Sequence, residues 1–445
     1  MSIPQPSYQG IFQRLQQHLP GAGIAWMSQM RNSALATLQQ QGFPDTRIEA
    51  WKYTDLRSLG RHLFTPTTAN REISTAQLEP WLFDQEPMHR LVFVDGRFAP
   101  QLSPLHALPG GVTLTSLAAA LERHPAELEH RLGRTLDTQR PGFNAMNTAF
   151  LQDGAYLKLE RQTVLDLPVH LLFISSGQTE HMATLRNVIM AAPGSAVTVI
   201  ESWVALGDAT CLSNTITEIM LEDNASLEHY KVVQEGDSAT HIGDTSVYQQ
   251  ADSRFTSHSI TLGGRLVRND LDVCLDGHGA ECALNGLTLT RGRQHVDNHT
   301  RIDHQQSHAS SREYYKGILD DRSRTVFSGR IKVHPGAQKT TAQQNNHSLL
   351  LSADAEADAR PQFEIYADDV QCTHGCTVGE LDADALFYLR SRALDRESAR
   401  NLLVYAFAAD VLERMQQQPV RHYLEQQLAR HLSGATARLQ SAAWH

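Results

Sequence analysis

From about residue 151 to residue 378, apolar and polar positions alternate with a period of two. Leu271, Val273 and Leu275 interleave with Asp270, Asp272, Cys274 and Asp276, and Leu287 and Leu289 interleave with Thr288 and Thr290. The runs Ala196–Ile200 and Leu227–Val232 repeat the pattern. Alternation of this kind sends successive side chains to opposite faces of a strand. Turn signals recur at Pro193-Gly194, Asp223-Asn224, Gly263-Gly264, Gly277, Asp320-Asp321 and Pro335-Gly336, and almost no helix-length run interrupts them. Many short strands with turns at roughly every 8–12 residues define a sandwich, a barrel or a solenoid. The length of the stretch favours the solenoid, and the small and polar residues at strand ends suit its tight corners. The pattern predicts a parallel β-helix.

The flanks have a different period. Residues 1–150 read as mainly helical, with helical spacing over Ile24–Leu38, a hairpin over Leu91–Phe98 turning at Asp95-Gly96, and helical character again from Leu114 to Leu132. After 379 the chain is helical once more. Asp395 is placed to cap a helix running to Met415, Pro419 marks its end, and a second helix covers about Arg421 to Leu432. The first of these carries Leu402, Leu403, Val404, Tyr405, Phe407, Val411 and Leu412 around most of its circumference. Such a helix needs more than one burying surface: it lies deep in a helical domain, or it offers the side around Leu403, Phe407 and Val411 to a partner protein. Three domains follow: 1–150, 151–378 and 379–445.

Composition narrows the function. The 445 residues are 41% hydrophobic and 20% charged, within the range of soluble globular chains. The formal net charge of −10 leaves no basic excess to neutralise phosphates, which argues against a general nucleic-acid binder. No apolar run approaches the roughly 20 residues that span a bilayer, and the N-terminus lacks a charged-then-apolar leader. Five cysteines, an odd number in so long a chain, are no disulfide framework and point to a reducing cytosol. No G-x-x-x-x-G-K-[ST] loop, G-x-S-x-G elbow or G-x-G-x-x-G fingerprint occurs, so the chain is not itself a P-loop ATPase.

The candidate chemistry lies late in the chain. Cys372, His374 and Cys376 occupy alternate positions of a segment flanked by Phe363, Ile365, Val370 and Val378, so as a strand it presents two thiols and an imidazole on one face. These are soft donors. Neighbours two apart are about 6.6 Å from each other and could lean onto one metal, but Cys372 and Cys376 are about 13 Å apart, against a Zn–S bond of about 2.3 Å. The row is therefore incomplete as a closed site, and spacing alone equally allows the cysteines to be small core residues. A second set, His295, His299, His304 and His308 around Asp297 and Asp303, lacks the His-Glu-x-x-His pattern. It stands either as hydrogen-bonding histidines on a polar β-face or as the centre of a metal-dependent hydrolase. Asp320/Asp321 and Asp368/Asp369 sit at expected turns. A polysaccharide-active β-helix enzyme would need a groove of carboxylates and usually a secretion signal.

The segment Phe363–Leu394, with its Cys372-Thr-His-Gly-Cys-Thr377 core and the following Leu386-Phe-Tyr388, resembles the SufB/SufD family of the SUF iron–sulfur cluster assembly machinery. So do Arg47–Thr54, Gln294–Asp303, Ser311–Leu319 and Val333–Leu351. Within the family the pattern is similar to the SufD branch. SufB-type scaffolds, the nearest alternative, typically have Glu-His-Glu-Ala-Thr at the core and a cysteine where this chain has Leu389. The resemblance implies a right-handed parallel β-helix between two helical domains, and a non-catalytic role in a complex with SufB and two copies of the ATPase SufC. It implies pairing with SufB through the β-helices and with SufC through the C-terminal helices, with no nucleic-acid or membrane partner, a cytoplasmic setting, and a homodimer as one possible state of the isolated chain. His374 matches the family histidine at the SufB–SufD interface and Cys372 a nearby cysteine, whereas Cys376 stands where alanine is usual. No tightly held cofactor is implied for the isolated chain, only iron or an iron–sulfur cluster passing transiently through the complex, with His374 and Cys372 as candidate ligands.

Overall fold

The computed structural model describes residues 8–67, 71–83, 87–136 and 142–442, with side chains up to residue 432. Its centre is a flattened solenoid whose coils each contribute one strand to each of two sheets, one of ten strands and one of nine. Strands pair in parallel with the equivalent strand of the next coil. In the nine-stranded sheet Leu266–Leu275 lies against His295–His304, that against Arg324–Val333, and that against Glu356–Ile365. In the ten-stranded sheet Ser310–Leu319, Thr341–Leu350 and Gln371–Glu380 stack in the same way. Register is kept residue by residue, so inward-facing positions form columns running the length of the solenoid. The alternation legible in the sequence is this pleat.

The columns change character along the axis. At the first coils they are aromatic and aliphatic: Phe93, Phe173 and Trp203 stack in succession, the last two with centroids 3.9 Å apart and 9° between planes. Further along, the interior holds buried polar groups satisfied by one another. Glu201 accepts from Thr217 and faces His229 at 3.2 Å, and Glu235 faces His241 at 3.1 Å. Burial opposes ionisation of Glu201, yet its hydrogen bonds with His229 and the charges around it hold the carboxyl low, at about 2. Lys231 is buried beside them, and Gly243 has no side chain because a Cβ there would collide with the lysine ammonium.

Both outer faces are covered. The helix Ala25–Gln41, the helix Phe143–Phe150 and the segment around Trp51 lie on the nine-stranded sheet, burying Met182, Leu212, Ile242 and Leu266. The helices Arg396–Leu412 and Gln418–Ala442 lie on the ten-stranded sheet over Ile260, Leu287, Ile318 and Leu349. Asp395 caps the first of these, its carboxylate accepting from the backbone N–H groups of Glu397 and Ser398 at 2.9 Å. Pro419 lies in the first turn of the second helix.

The amino-terminal region is less separate than its helical character suggests. The predicted hairpin at Asp95-Gly96 is present, with positive φ at both turn residues. Its first strand, His89–Val94, is also a member of the solenoid and pairs in parallel with Val169–Ser175. The expected helical stretch from Leu114 begins instead as a strand, Val112–Ser116, antiparallel to Ala155–Leu159; helices follow at Leu117–Arg123 and Pro125–Glu129. Val112-Thr-Leu-Thr-Ser116 alternates and is rich in β-branched residues, so period two prevails there. These strands close the first coil, with Phe98, Leu108 and Val112 packed over its interior. The last coil has no equivalent cover.

Candidate functional site

The candidate site is the open end of the solenoid. Gln371–Glu380 is the final strand of the ten-stranded sheet and pairs on one side only, with Thr341–Leu350. Glu356–Ile365 is the corresponding edge of the nine-stranded sheet. Cys372, His374 and Cys376 stand in register with Ala342, Gln344 and Asn346, the inward residues of the preceding strand. All three therefore point into the interior at the coil where that interior is uncovered. Cys372 is half-buried against the core, while His374 and Cys376 are exposed. His374 lies edge-on to Phe363, the inward residue of the opposite strand, with centroids 5.3 Å apart. Around them Ile365, Tyr366 and Val378 are 42%, 58% and 48% exposed, an apolar rim on a raw sheet edge.

The chemistry of the row follows from its half-burial. Desolvation pushes both thiols above their ordinary range, so at neutral pH they are protonated. Cys376 makes at best a weak contact, with Sγ 4.0 Å from Asn346 Oδ1. A metal must displace a proton to bind either sulfur, whereas a neutral imidazole ligates directly. Among the described residues no group of three or more His, Cys, Asp or Glu is gathered closely enough to hold a metal. The row presents two thiols and an imidazole at the uncovered end of the solenoid axis.

The histidine series 295–308 is dispersed by the pleat. His295 and His299 are on the outer face, where His295 meets Thr54 Oγ1 at 2.9 Å and His299 meets Asp297 at 2.9 Å. His304 points inward to Ser311 Oγ at 2.9 Å, and His308 occupies a left-handed position in a corner turn. Asp297 is buried, and although burial opposes its ionisation, His299 and Arg268 hold its carboxyl far below the usual carboxylate range. Arg268 in turn stacks on Trp51 at 3.9 Å and donates to Ala50 O. The adjoining cleft, about 340 Å³, contains Arg330 and Arg360, ion-paired with Glu364 and Glu49. This is the seam that docks the Arg47–Thr54 segment onto the sheet, and the hydrolase reading has no gathered ligand set to stand on.

The partner-facing residues of the C-terminal helices need correction. Val411 is fully buried under the helix, against the solenoid, so it offers nothing to a partner. Phe407 is half-buried, its ring covered by the Lys316 ammonium at 4.3 Å, and Lys316 pairs with Asp410 at 2.8 Å. Leu403 is half-exposed. The outward apolar surface lies instead on the preceding helix, Ala383–Ser391, which has no buried residue, and on its neighbour: Phe387, Tyr388 and Leu402 are 74%, 56% and 47% exposed. The signal was the Leu386-Phe-Tyr388 triplet in a short helix, too apolar to be left in water without cause.

A solenoid closed at its first coil and left open at its last defines a parallel β-solenoid protein with one uncapped end. Residues 173–407 match the family described as SUF system FeS cluster assembly, SufBD core domain, and residues 3–171 match the SufBD protein N-terminal region. The chain belongs to the SufBD family of iron–sulfur cluster assembly proteins. It is 32% identical to the iron–sulfur cluster assembly protein SufD of Escherichia coli over 403 residues, covering 90% of this chain and 92% of that one. An iron–sulfur cluster assembly SufBD family protein of Synechocystis sp. is 32% identical over 86% of each chain. SufD of Bacillus subtilis is 26% identical over 90% of this chain and 92% of its own. Among the described residues no helix is long and apolar enough to cross a membrane, and all five cysteines are free.

Proposed function

We propose that this chain is the SufD-type, non-catalytic scaffold subunit of a cytosolic SUF complex. It pairs with a SufB subunit through the open end of its solenoid and with the SufC ATPase through the exposed face of its C-terminal helices. The observation that carries the reading is the unclosed last coil, where an unpaired strand edge and the inward donors Cys372 and His374 occur together. A second β-solenoid stacked on that edge satisfies its hydrogen bonds, covers Ile365 and Val378, and brings its own ligands to the incomplete row. Iron, or the cluster being built, is cargo at that seam: His374 offers a ring nitrogen, and Cys372 a sulfur that loses its proton on binding. Cys376 fills space. In the absence of SufB the same edge serves a second copy of this chain.

The test is co-expression with SufB and SufC, anaerobic purification, and iron and acid-labile sulfide analysis. His374→Ala is expected to lose most of the cluster at unchanged melting temperature, Cys376→Ala to match wild type, and Cys372→Ala to fall between. Equal cluster loads in wild type and His374→Ala would reduce the row to packing.

A further inference from the structure

Behind His374 the inward column stays polar for two more coils. Gln344 is in register with His374, and Glu313 with Gln344. Gln344 is fully buried, and its Nε2 donates to the Glu313 carboxylate. Its Oε1 is buried as well and has no hydrogen-bond partner among the described residues. A buried acceptor left without a donor costs about 1–3 kcal/mol, so its persistence calls for a use. The space for the amide is provided from the facing sheet: Gly329 stands opposite, and a Cβ there would collide with the Gln344 amide. Ala342, Phe327 and Phe363 pack around the column, with Thr300 beside Glu313 and Asn346 two residues along the strand from Gln344. With Nε2 given to Glu313, Oε1 is the acceptor left on the amide. The next side chain in the column toward the open end is the imidazole of His374.

We propose that Gln344, held in place by Glu313, is a positioning residue for His374. Its Oε1 accepts the ring N–H that faces into the solenoid, and the lone pair of the other ring nitrogen is thereby directed out of the open end toward arriving iron. The inference rests on the reading of His374 as an iron or cluster donor. A neutral imidazole carries one N–H and one lone pair, so fixing the partner of the first fixes the tautomer and the aim of the second. Donor histidines are ordinarily oriented by such a second contact, and Gln344 is the acceptor-bearing side chain that stands next to His374 in this column. Glu313 acts one step further back, by setting which end of the amide faces forward.

The test separates the positioning from the function. In the full-length chain with ¹⁵N-labelled histidine, His374 is assigned by the signals lost in His374→Asn, and the tautomer is read from its ring-nitrogen shifts. Wild type is expected to show a single tautomer. Gln344→Met, which keeps the volume without the acceptor, and Gly329→Ala, which displaces the amide without changing its chemistry, are expected to show both. A mixed tautomer in wild type overturns the proposal without any variant, as does a single tautomer surviving in a folded Gln344→Met. In the co-expressed complex Gln344→Met is expected to lower cluster content roughly two-fold or more. A tautomer change accompanied by full cluster load in both Gln344→Met and His374→Ala supports the positioning and removes the donor role from His374.

Discussion

Single side chains at the open end have consequences that pH makes visible. Glu313 is fully buried, and burial pushes its carboxyl from 4.5 up to about 7 against the opposing hydrogen bond from Gln344. The folded chain therefore holds a proton there that the unfolded chain has released. Between pH 4.5 and about 7 this term loses stability as pH rises, and above about 7 it is constant. Glu313→Gln is expected to match wild type near pH 4.5 and to be more stable by about 3 kcal/mol at pH 8. Denaturant melts across that range measure the gap, and a gap independent of pH would contradict the assignment. The donor row follows the opposite logic. Cys372 is a protonated thiol at rest, so in the proposed role iron capture by its sulfur improves as pH rises.

At the scale of elements, the strands of the core were legible because the outer and inner positions alternate over whole coils, as in Leu271, Val273 and Leu275. The donor face of Gln371–Glu380 was legible for the same reason, since parity alone puts Cys372, His374 and Cys376 on one side. Two things were hidden. His89–Val94 joins a sheet whose next strand lies 80 residues later in register, a pairing no local pattern records. The helix Arg396–Leu412 shows apolar residues on all sides, and the sequence could not say which side the solenoid takes. It takes Val404, Ala408 and Val411, and leaves Leu402 outward. Phe387→Ala, on the helix with no buried residue, is accordingly expected to weaken ATPase binding about ten-fold, the ordinary cost of losing an aromatic anchor, without lowering the melting temperature. Val411→Ala should do the reverse, destabilising the fold by about 1–2 kcal/mol with no direct effect on the partner. Titration calorimetry and thermal melts on the two variants distinguish the surfaces. Removal of everything after 379 is a poor test, because it uncovers Ile260, Leu287 and Ile318 together.

On the scale of the whole molecule, one end of the solenoid is finished and the other is not. Natural sheets protect such edges with inward-pointing charges, and this one presents Val378 instead, 48% exposed. Val378→Lys is expected to abolish pairing at that end, both with SufB and between copies, while the isolated chain keeps its fold; sedimentation velocity reads the change directly. The one-sided pairing of Gln371–Glu380 also bears on the order of events. In a linear stack each coil is held by the coils on either side, and this final coil is held from one side only. It is therefore the segment whose amide protons exchange first, through local opening that leaves the rest of the stack intact. Docking gives it a second neighbour. In the proposed pairing Cys372 and His374 are immobilised only when the partner arrives, so a lone subunit with a fraying end is expected to be a poor trap for stray iron.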